Sequence, residues 1–254
     1  MTETLYNYLL YAMPPLAIAV FAALFFIKAG YGIFRTKAWG FSLPNKIGWI
    51  MMECPVFLVM MYLWMECENK TEPVLLTFFL LFQLHYFQRT FIFPFLMKGH
   101  SKMPLSIVAM GVIFNLINGF LIGESLFHLA PEGKYTSEWF GTPAFSLGTI
   151  VFFIGMAVNW HSDHVIRTLR PKGDTRHYLP QKGMYQYVTS GNYFGELVEW
   201  TGFAILTQST AAWIFVLWTF ANLGPRAYAI NKQYRKEFGN EAVGKRKCLI
   251  PYIY

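Results

Sequence analysis

The stretch FSLGTIVFFIGMAVNWHSDHVIRTLR, Phe145 to Arg170, decides how this chain is read. Its first half is apolar nearly without a break. From Phe145 to Leu169 it has the roughly 20-residue length that a helix needs to cross the hydrocarbon of a bilayer. Its second half carries Asn159, Asp163 and Arg170. At about 100° per residue, these positions fall within about 40° of one another on a helix. Ionisable groups inside a spanning helix are costly, so they turn toward a partner or a cavity. A single helix with such a face is incomplete, and the stretch predicts a bundle.

Working outward, six further apolar segments resemble it in length: Tyr8–Ile27, Ile47–Met65, Pro73–Met97, Leu105–Ala130, Tyr187–Leu206 and Ala211–Ala229. The composition agrees. Of 254 residues, 55% are hydrophobic, 19% aromatic and only 14% charged, against about 25% charged in a typical soluble domain. Seven spans with short loops occupy the whole length, so residues 1–254 are expected to form one membrane domain with no added soluble unit. The start, MTETLYNYLLYAMPP, has neither a basic n-region nor an A-x-A site, so the first apolar stretch is expected to stay in the membrane. Cys54, Cys67 and Cys248 have no metal-like spacing, and their odd number argues against a disulfide framework.

The loop charges test the count of helices. Lys28, Arg35, Lys37 and Lys46 fall in the first loop, and Lys98 and Lys102 in the third. Arg167, Arg170, Lys172, Arg176 and Lys182 fall around the fifth, and Arg226, Lys232, Arg235, Lys236, Lys245, Arg246 and Lys247 toward the C-terminus. The alternate loops hold only Lys70 and Lys134, among Glu66, Glu68, Glu72, Glu132 and Glu138. The positive-inside rule requires such alternation. It predicts an all-α bundle of seven transmembrane helices, with the N-terminus outside or lumenal and the C-terminus cytoplasmic. The net charge of +7 is thereby explained by membrane orientation and not by nucleic-acid binding.

Other helices repeat the polar pattern of the first. The sixth carries Asn192, Glu196 and Glu199 at i, i+4 and i+7, on one face. The seventh carries Asn222 and Arg226, the third His85, Tyr86 and Arg89, and the second an isolated Glu53 among Met51, Met52, Cys54 and Pro55. Each residue alone reads equally as hydrogen-bonding glue between helices. Together they predict a large polar cavity toward the cytoplasmic half. Guanidinium groups suit phosphate, and amides and carboxylates suit ribose hydroxyls and base edges. No glycine-rich dinucleotide fingerprint or P-loop occurs, so a nucleotide site has to be built between helices. His161 and His164 lack the further histidines that a membrane metal centre needs, and no metal is expected. Ser106, Ser125 and Ser190 have no nucleophile context.

Four runs carry a resemblance: NWHSDHVIRTLR (Asn159–Arg170), YVTSGNYFGELVEW (Tyr187–Trp200), HYFQRTF (His85–Phe91) and the terminus GKRKCLIPYIY (Gly244–Tyr254). The chain resembles the steroid 5-alpha-reductase family from about Glu53 to its end. The resemblance implies a seven-helix membrane enzyme, in a bacterial inner membrane or the endoplasmic reticulum, that uses NADPH to reduce the double bond of a 3-oxo-Δ4 steroid taken from the lipid phase. It implies that Glu53 and Tyr86 are catalytic. It also implies that Arg89, Asn159, Asp163, Arg170, Asn192, Glu196, Arg226, Tyr234 and Arg246 contact the cofactor. Three positions depart from the family pattern: Phe93 and His177 stand where it has tyrosines, and Ile230 where it has a histidine.

The chemistry is consistent with those residue types. Hydride attack on the β-carbon of an enone builds negative charge on the carbonyl oxygen, which calls for donors aimed at that oxygen in a dry site. Tyr86 can donate, and so can Glu53 in its protonated form. Two other readings stand beside it. An S-adenosylmethionine-dependent methyltransferase acting on a lipid or prenylated thiol would share the polar pocket but would not need Glu53 and Tyr86 as a carbonyl-polarising pair. A sterol-binding membrane protein without chemistry has no obvious need for so many Arg, Asn and carboxylate groups in the cytoplasmic half.

Overall fold

Where water is scarce, each backbone amide and carbonyl has to bond within its own segment, so an apolar run becomes a helix. The computed structural model describes every residue except Met1, Arg35, His100, Lys172, Gly173 and Thr175, together with the side chain of Lys37. The loop charges assigned to Arg35, Lys37 and Lys172 therefore lie outside the described parts. The chain runs through α1 (Thr2–Phe26), β1 (Ser42–Pro44), α2 (Asn45–Glu66), α3 (Pro73–Phe87), α4 (Phe93–Leu96) and β2 (Lys102–Pro104). It continues through α5 (Leu105–Phe127), α6 (Pro143–Thr168), α7 (Gly191–Thr207), α8 (Thr210–Phe238) and α9 (Asn240–Val243). Among the described residues the only strands are β1 and β2, which pair antiparallel with Leu43 opposite Met103.

Four helices are long and apolar enough to cross a membrane: α1, α2, α5 and α6. Of the other three long helices, α3 has 15 residues and α7 has 17, and α8 carries Asn222, Arg226 and its charged extension to Phe238. A π-helical turn over Gln88–Ile92 separates α3 from α4, so the predicted segment Pro73–Met97 is not one regular helix. Pro94 is the physical reason, because it has no amide for the Thr90 carbonyl and its ring crowds that turn. The predicted sixth segment starts at Gly191 instead of Tyr187, because Val188 leaves the helix path to bridge Lys247. The seventh runs to Phe238, well past the predicted Ala229.

Loop contacts sort the helix ends into two groups. At one end β1 of the first loop pairs with β2 of the third, and the loop before α7 pairs with the C-terminal tail through Val188 and Lys247. At the other end Cys67 bonds the Phe127 carbonyl and Ser137 bonds Glu72 at 3.1 Å. Lys134, Tyr135 and Trp139 there donate to the successive carbonyls of Gln208, Thr207 and Leu206. These three donors satisfy the last turn of α7, whose carbonyls have no partners within the helix.

Two seams position the site. Between α6 and α7 the backbones touch: a Cβ added at Gly155 would lie 2.8 Å from the Gly195 carbonyl, and one at Gly195 would lie 2.9 Å from that of Gly155. Small residues permit this approach between membrane helices. Between α5 and α2, Gly119 faces Val56 and Val59. One turn earlier on the same stripe, Asn115 donates to the Met52 carbonyl at 2.7 Å and to Glu53 Oε2 at 3.4 Å.

Candidate active site

The glycine seam brings the polar faces of α6 and α7 into direct contact. Asn159 donates to the Asn192 carbonyl at 2.9 Å, and the Asn192 amide donates to Asp163 Oδ1 at 3.1 Å. Tyr185 donates to Asn192 Oδ1 at 3.3 Å, and burial holds its hydroxyl well above the usual tyrosine range. Asp163 spends its second oxygen on Arg89, whose Nη1 donates at 3.1 Å. Glu196 Oε2 lies 3.9 Å from Arg89 Nη2. Arg89 sits in the π-helical turn, and its guanidinium lies 5.1 Å from the Trp49 ring and 4.4 Å from the Phe93 ring. Phe93, one of the departures noted in the sequence, thus acts as a flat support for a cation.

Arg226 approaches from α8. Its Nε donates to the Tyr193 hydroxyl at 2.9 Å, and its Nη2 to the Tyr31 carbonyl at 3.2 Å. The guanidinium lies 3.8 Å from the centre of the Tyr31 ring. Further along α8, Tyr234 lies within electrostatic range of Tyr193, Glu237, Arg170 and Arg246, and burial pushes its hydroxyl up to about 12. It stays a neutral donor through the physiological range. Asn222 and Arg226 line a small void of about 20 Å³.

The two residues singled out as catalytic lie beside this network. Tyr86 is buried, with its ring 4.8 Å from Phe82, 5.6 Å from Trp200 and 5.0 Å from His85. Among the described residues its hydroxyl has no hydrogen-bond partner. Glu53, Glu196, Glu199 and Arg89 all lie within its electrostatic range. Glu53 is held by Asn115 from one side and lies one turn along α2 from Trp49, the residue under Arg89.

Two predicted residues are placed differently. Arg170 is exposed at the end of α6 and pairs with nothing among the described residues. Arg246 is committed to backbone: Nε donates to Val243, Nη1 to Pro180 at 2.9 Å and to Tyr185 at 3.4 Å, and Nη2 to Ala242. It fastens the tail to the loop that carries Tyr185. His177 bonds Glu237 at 3.0 Å and ties the same loop to α8.

Sequence reasoning missed four residues of the site. Asn115 had a usable signal, since it interrupts a Gly111, Gly119, Gly123 stripe at four-residue spacing. Tyr193, three residues before Glu196, shares its face. Tyr31 and Tyr185 lie outside the long helices and carried no periodic signal.

A family model described as 3-oxo-5-alpha-steroid 4-dehydrogenase matches residues 101–254. The 3-oxo-5-alpha-steroid 4-dehydrogenase 1 of Bos taurus is 33% identical over 248 residues, 94% of this chain and 93% of the relative. The steroid 5-alpha-reductase DET2 of Gossypium hirsutum is 32% identical over 256 residues, 99% of this chain and 98% of its own length. The human 3-oxo-5-alpha-steroid 4-dehydrogenase 1 is 33% identical over 260 residues, 99% of this chain and 96% of its own. The chain belongs to the 3-oxo-5-alpha-steroid 4-dehydrogenase family. As a member of the 3-oxo-5-alpha-steroid 4-dehydrogenase family it is an oxidoreductase of steroid metabolism, and its apolar helices make it a membrane protein. The family model covers α5 to the tail, and the full-length relatives take in α2, α3 and the π-helical turn, where Glu53, Tyr86 and Arg89 lie.

Proposed function

We propose that this enzyme reduces the Δ4 double bond of a 3-oxo steroid with NADPH as reductant. Besides family membership, one observation carries the reading: the buried residue Tyr86, whose hydroxyl makes no hydrogen bond among the described residues, lies within electrostatic range of Glu53 at the edge of an arginine-rich polar network. The network fits the cofactor. Asn159 Oδ1, Ser162 Oγ and Ser190 Oγ are buried without partners at the α6–α7 seam, and such atoms ask for a polar ligand. Arg89, Arg170 and Arg226 supply positive charge for phosphates, and Arg246 serves the cofactor by holding the Tyr185 loop. Asn159, Asp163, Asn192, Glu196 and Tyr234 supply the amides, carboxylates and hydroxyl that ribose and base edges need.

When bound, NADPH supplies a hydride to the β-carbon of the enone. Negative charge then develops on the steroid's 3-oxygen. Tyr86 and protonated Glu53 donate hydrogen bonds to that oxygen, and the rings of Phe82 and Trp200 keep Tyr86 dry and fixed. Donors prearranged in a water-poor site need no reorganisation as the charge appears. The steroid arrives from the lipid. An apolar groove of about 470 Å³ between α2 and α3 includes Phe57 and Gln83. These residues lie one turn from Glu53 and Tyr86 on their helices, and the groove gives a rigid apolar molecule a lateral approach.

We also propose that seven spans form one domain over residues 1–254, with the N-terminus outside or lumenal and the C-terminus cytoplasmic. The two groups of loop contacts and the charge alternation support it. The membrane is a bacterial inner membrane or the endoplasmic reticulum. The deciding experiment incubates purified protein in vesicles with NADPH and a panel of 3-oxo-Δ4 steroids, and looks for the saturated 5-alpha product. No product from any steroid, with protein that binds NADPH, overturns the reading.

A further inference from the structure

The mechanism leaves one buried ionisable pair unused. His85 Nδ1 and Glu199 Oε1 lie 2.8 Å apart, with side chains 4% and 0% exposed. The other carboxylate oxygen, Glu199 Oε2, is buried with no partner. Such a pair is a poor source of stability: withdrawing two ionisable groups from water costs more than a half-satisfied contact returns, and apolar residues of similar volume often do as well. Its position indicates another use. His85 precedes Tyr86 on α3, and Glu199 precedes Trp200 on α7. The two dipeptides interlock. Glu199 holds the His85 ring, the His85 ring lies 4.5 Å from Trp200, and Trp200 lies 5.6 Å from Tyr86. Phe82 closes the remaining side, 4.8 Å from Tyr86 and 5.5 Å from Trp200. Glu199 also lies one turn beyond Glu196, on the same face of α7 that turns Asn192 toward Asp163.

We propose that His85 and Glu199 are positioning residues that fix the register of α3 against α7, so that the Tyr86 hydroxyl stands at a set distance from the cofactor-side groups on α7. The inference rests on the assignment of Tyr86 as the donor to the substrate oxygen. One hydrogen bond between the helices, unlike an apolar contact, admits one register only. That explains why an ionisable pair stands where Leu and Phe would pack. The pair does not touch the substrate. It acts through the ring cage around Tyr86.

A double-mutant cycle tests this. His85→Leu/Glu199→Leu removes both partners and so avoids leaving a lone buried charge. Misplacing a catalytic group by about 1 Å costs about 100-fold in rate. The expected result is a kcat lower by about 100-fold, with NADPH and steroid binding constants close to those of the parent. Glu199→Gln keeps an acceptor for His85 and should restore most of the rate. In a Tyr86→Phe background, replacing the pair should cause little further loss, because groups acting as a unit are not additive. A pair replacement with parental kcat overturns the proposal, as does an equal fractional loss with and without the Tyr86 hydroxyl. If the pair replacement fails to insert, His85→Phe keeps the ring against Trp200 and is read in the same cycle against the same criteria. A fully active Tyr86→Phe enzyme defeats the assignment of Tyr86 itself. An inactive Tyr86→Phe beside a normal pair replacement defeats only the role given to His85 and Glu199.

Discussion

The two ends of the helix bundle differ in what their buried polar groups leave unpaired. At the end formed by the 67–72 loop, the 128–142 loop and the α7–α8 turn, side chains donate to backbone. Lys134, Tyr135 and Trp139 close the carbonyls of the last turn of α7. At the other end, side chains also donate to backbone, as Arg246 does, but the polar faces of the site meet one another as well: Arg89 with Asp163, Asn192 with Asp163, Arg226 with Tyr193. Buried atoms there remain unpaired, including Asn159 Oδ1 and Ser190 Oγ. Donors spent on helix ends hold a structure shut. Side-chain networks with spare capacity can exchange partners when a polar ligand arrives. The comparison supports the proposed ligand recognition at one end and anchoring at the other.

The sharpest way to break that division is at the pair expected to touch substrate. Tyr86→Phe and Glu53→Gln should each lower kcat by about 100–1000-fold, the loss associated with removing one oxyanion donor. Both proteins should bind NADPH normally, because neither residue belongs to the Arg89–Asp163 network. Steady-state turnover beside cofactor titration checks both halves of the statement, and near-normal turnover in either variant removes that residue from the mechanism.

The next largest effect is expected at the seam beneath the network. Gly195→Leu places a side chain where the Gly155 carbonyl lies 2.9 Å from a first added carbon. Overpacking of this kind typically costs about 1–3 kcal/mol and more where backbone blocks relief. The α6 and α7 faces would part, and Asn159 would lose the Asn192 carbonyl. Thermal unfolding in detergent should fall, and NADPH binding should weaken in the fraction that still folds. A Gly195→Leu protein with parental melting and cofactor affinity would show that the seam does not set the site.

These effects also mark what a reader of the sequence could and could not see. The apolar runs were legible because spanning length and the absence of charge leave the helix as the available form. The polar faces were legible because i, i+4 and i+7 spacings of Asn192, Glu196 and Glu199 admit one reading on a helix. The π-helical turn was not, since Pro94 permits either a kink or an end and only the packing of Arg89 between Trp49 and Phe93 decides. The expected open cavity was not legible as direct contact, because nothing in the spacing shows that Gly155 and Gly195 draw α6 and α7 together. The partners of Arg246 are carbonyls of a folded loop, so no side-chain pattern could have announced them.

Arg246 gives a smaller and more discriminating effect. Its donors fasten Val243, Ala242, Pro180 and Tyr185, so it reaches the cofactor end by holding the Tyr185 loop beside Asn192. Arg246→Ala should raise the apparent NADPH constant by about tenfold, the effect of losing roughly one charge-assisted hydrogen bond's contribution of 1.5 kcal/mol, with the steroid constant little changed. Arg246→Lys should not restore it, because a point-like ammonium cannot span several carbonyls as a planar guanidinium does. An unchanged NADPH constant in Arg246→Ala confines the residue to topology.

The smallest effect is expected at the anchoring end, and it is the one that tests the comparison most directly. Tyr135 is buried and donates to the Thr207 carbonyl at 2.6 Å. Its ring also packs edge-on against Phe78, with centroids 5.1 Å apart. Tyr135→Phe keeps the ring and removes only the donor, leaving one carbonyl of the last α7 turn short of a partner. A neutral hydrogen bond contributes about 1 kcal/mol, so the melting temperature should fall modestly. Turnover, the steroid constant and the NADPH constant should all stay at parental values, because the hydroxyl lies at the end of α7 remote from Asn192 and Glu196. If Tyr135→Phe instead lowers kcat while melting is unchanged, the anchoring end communicates with the site and the division between the two ends fails. If only stability moves, α7 is pinned at one end by donors to its backbone and read at the other by groups that face the reaction.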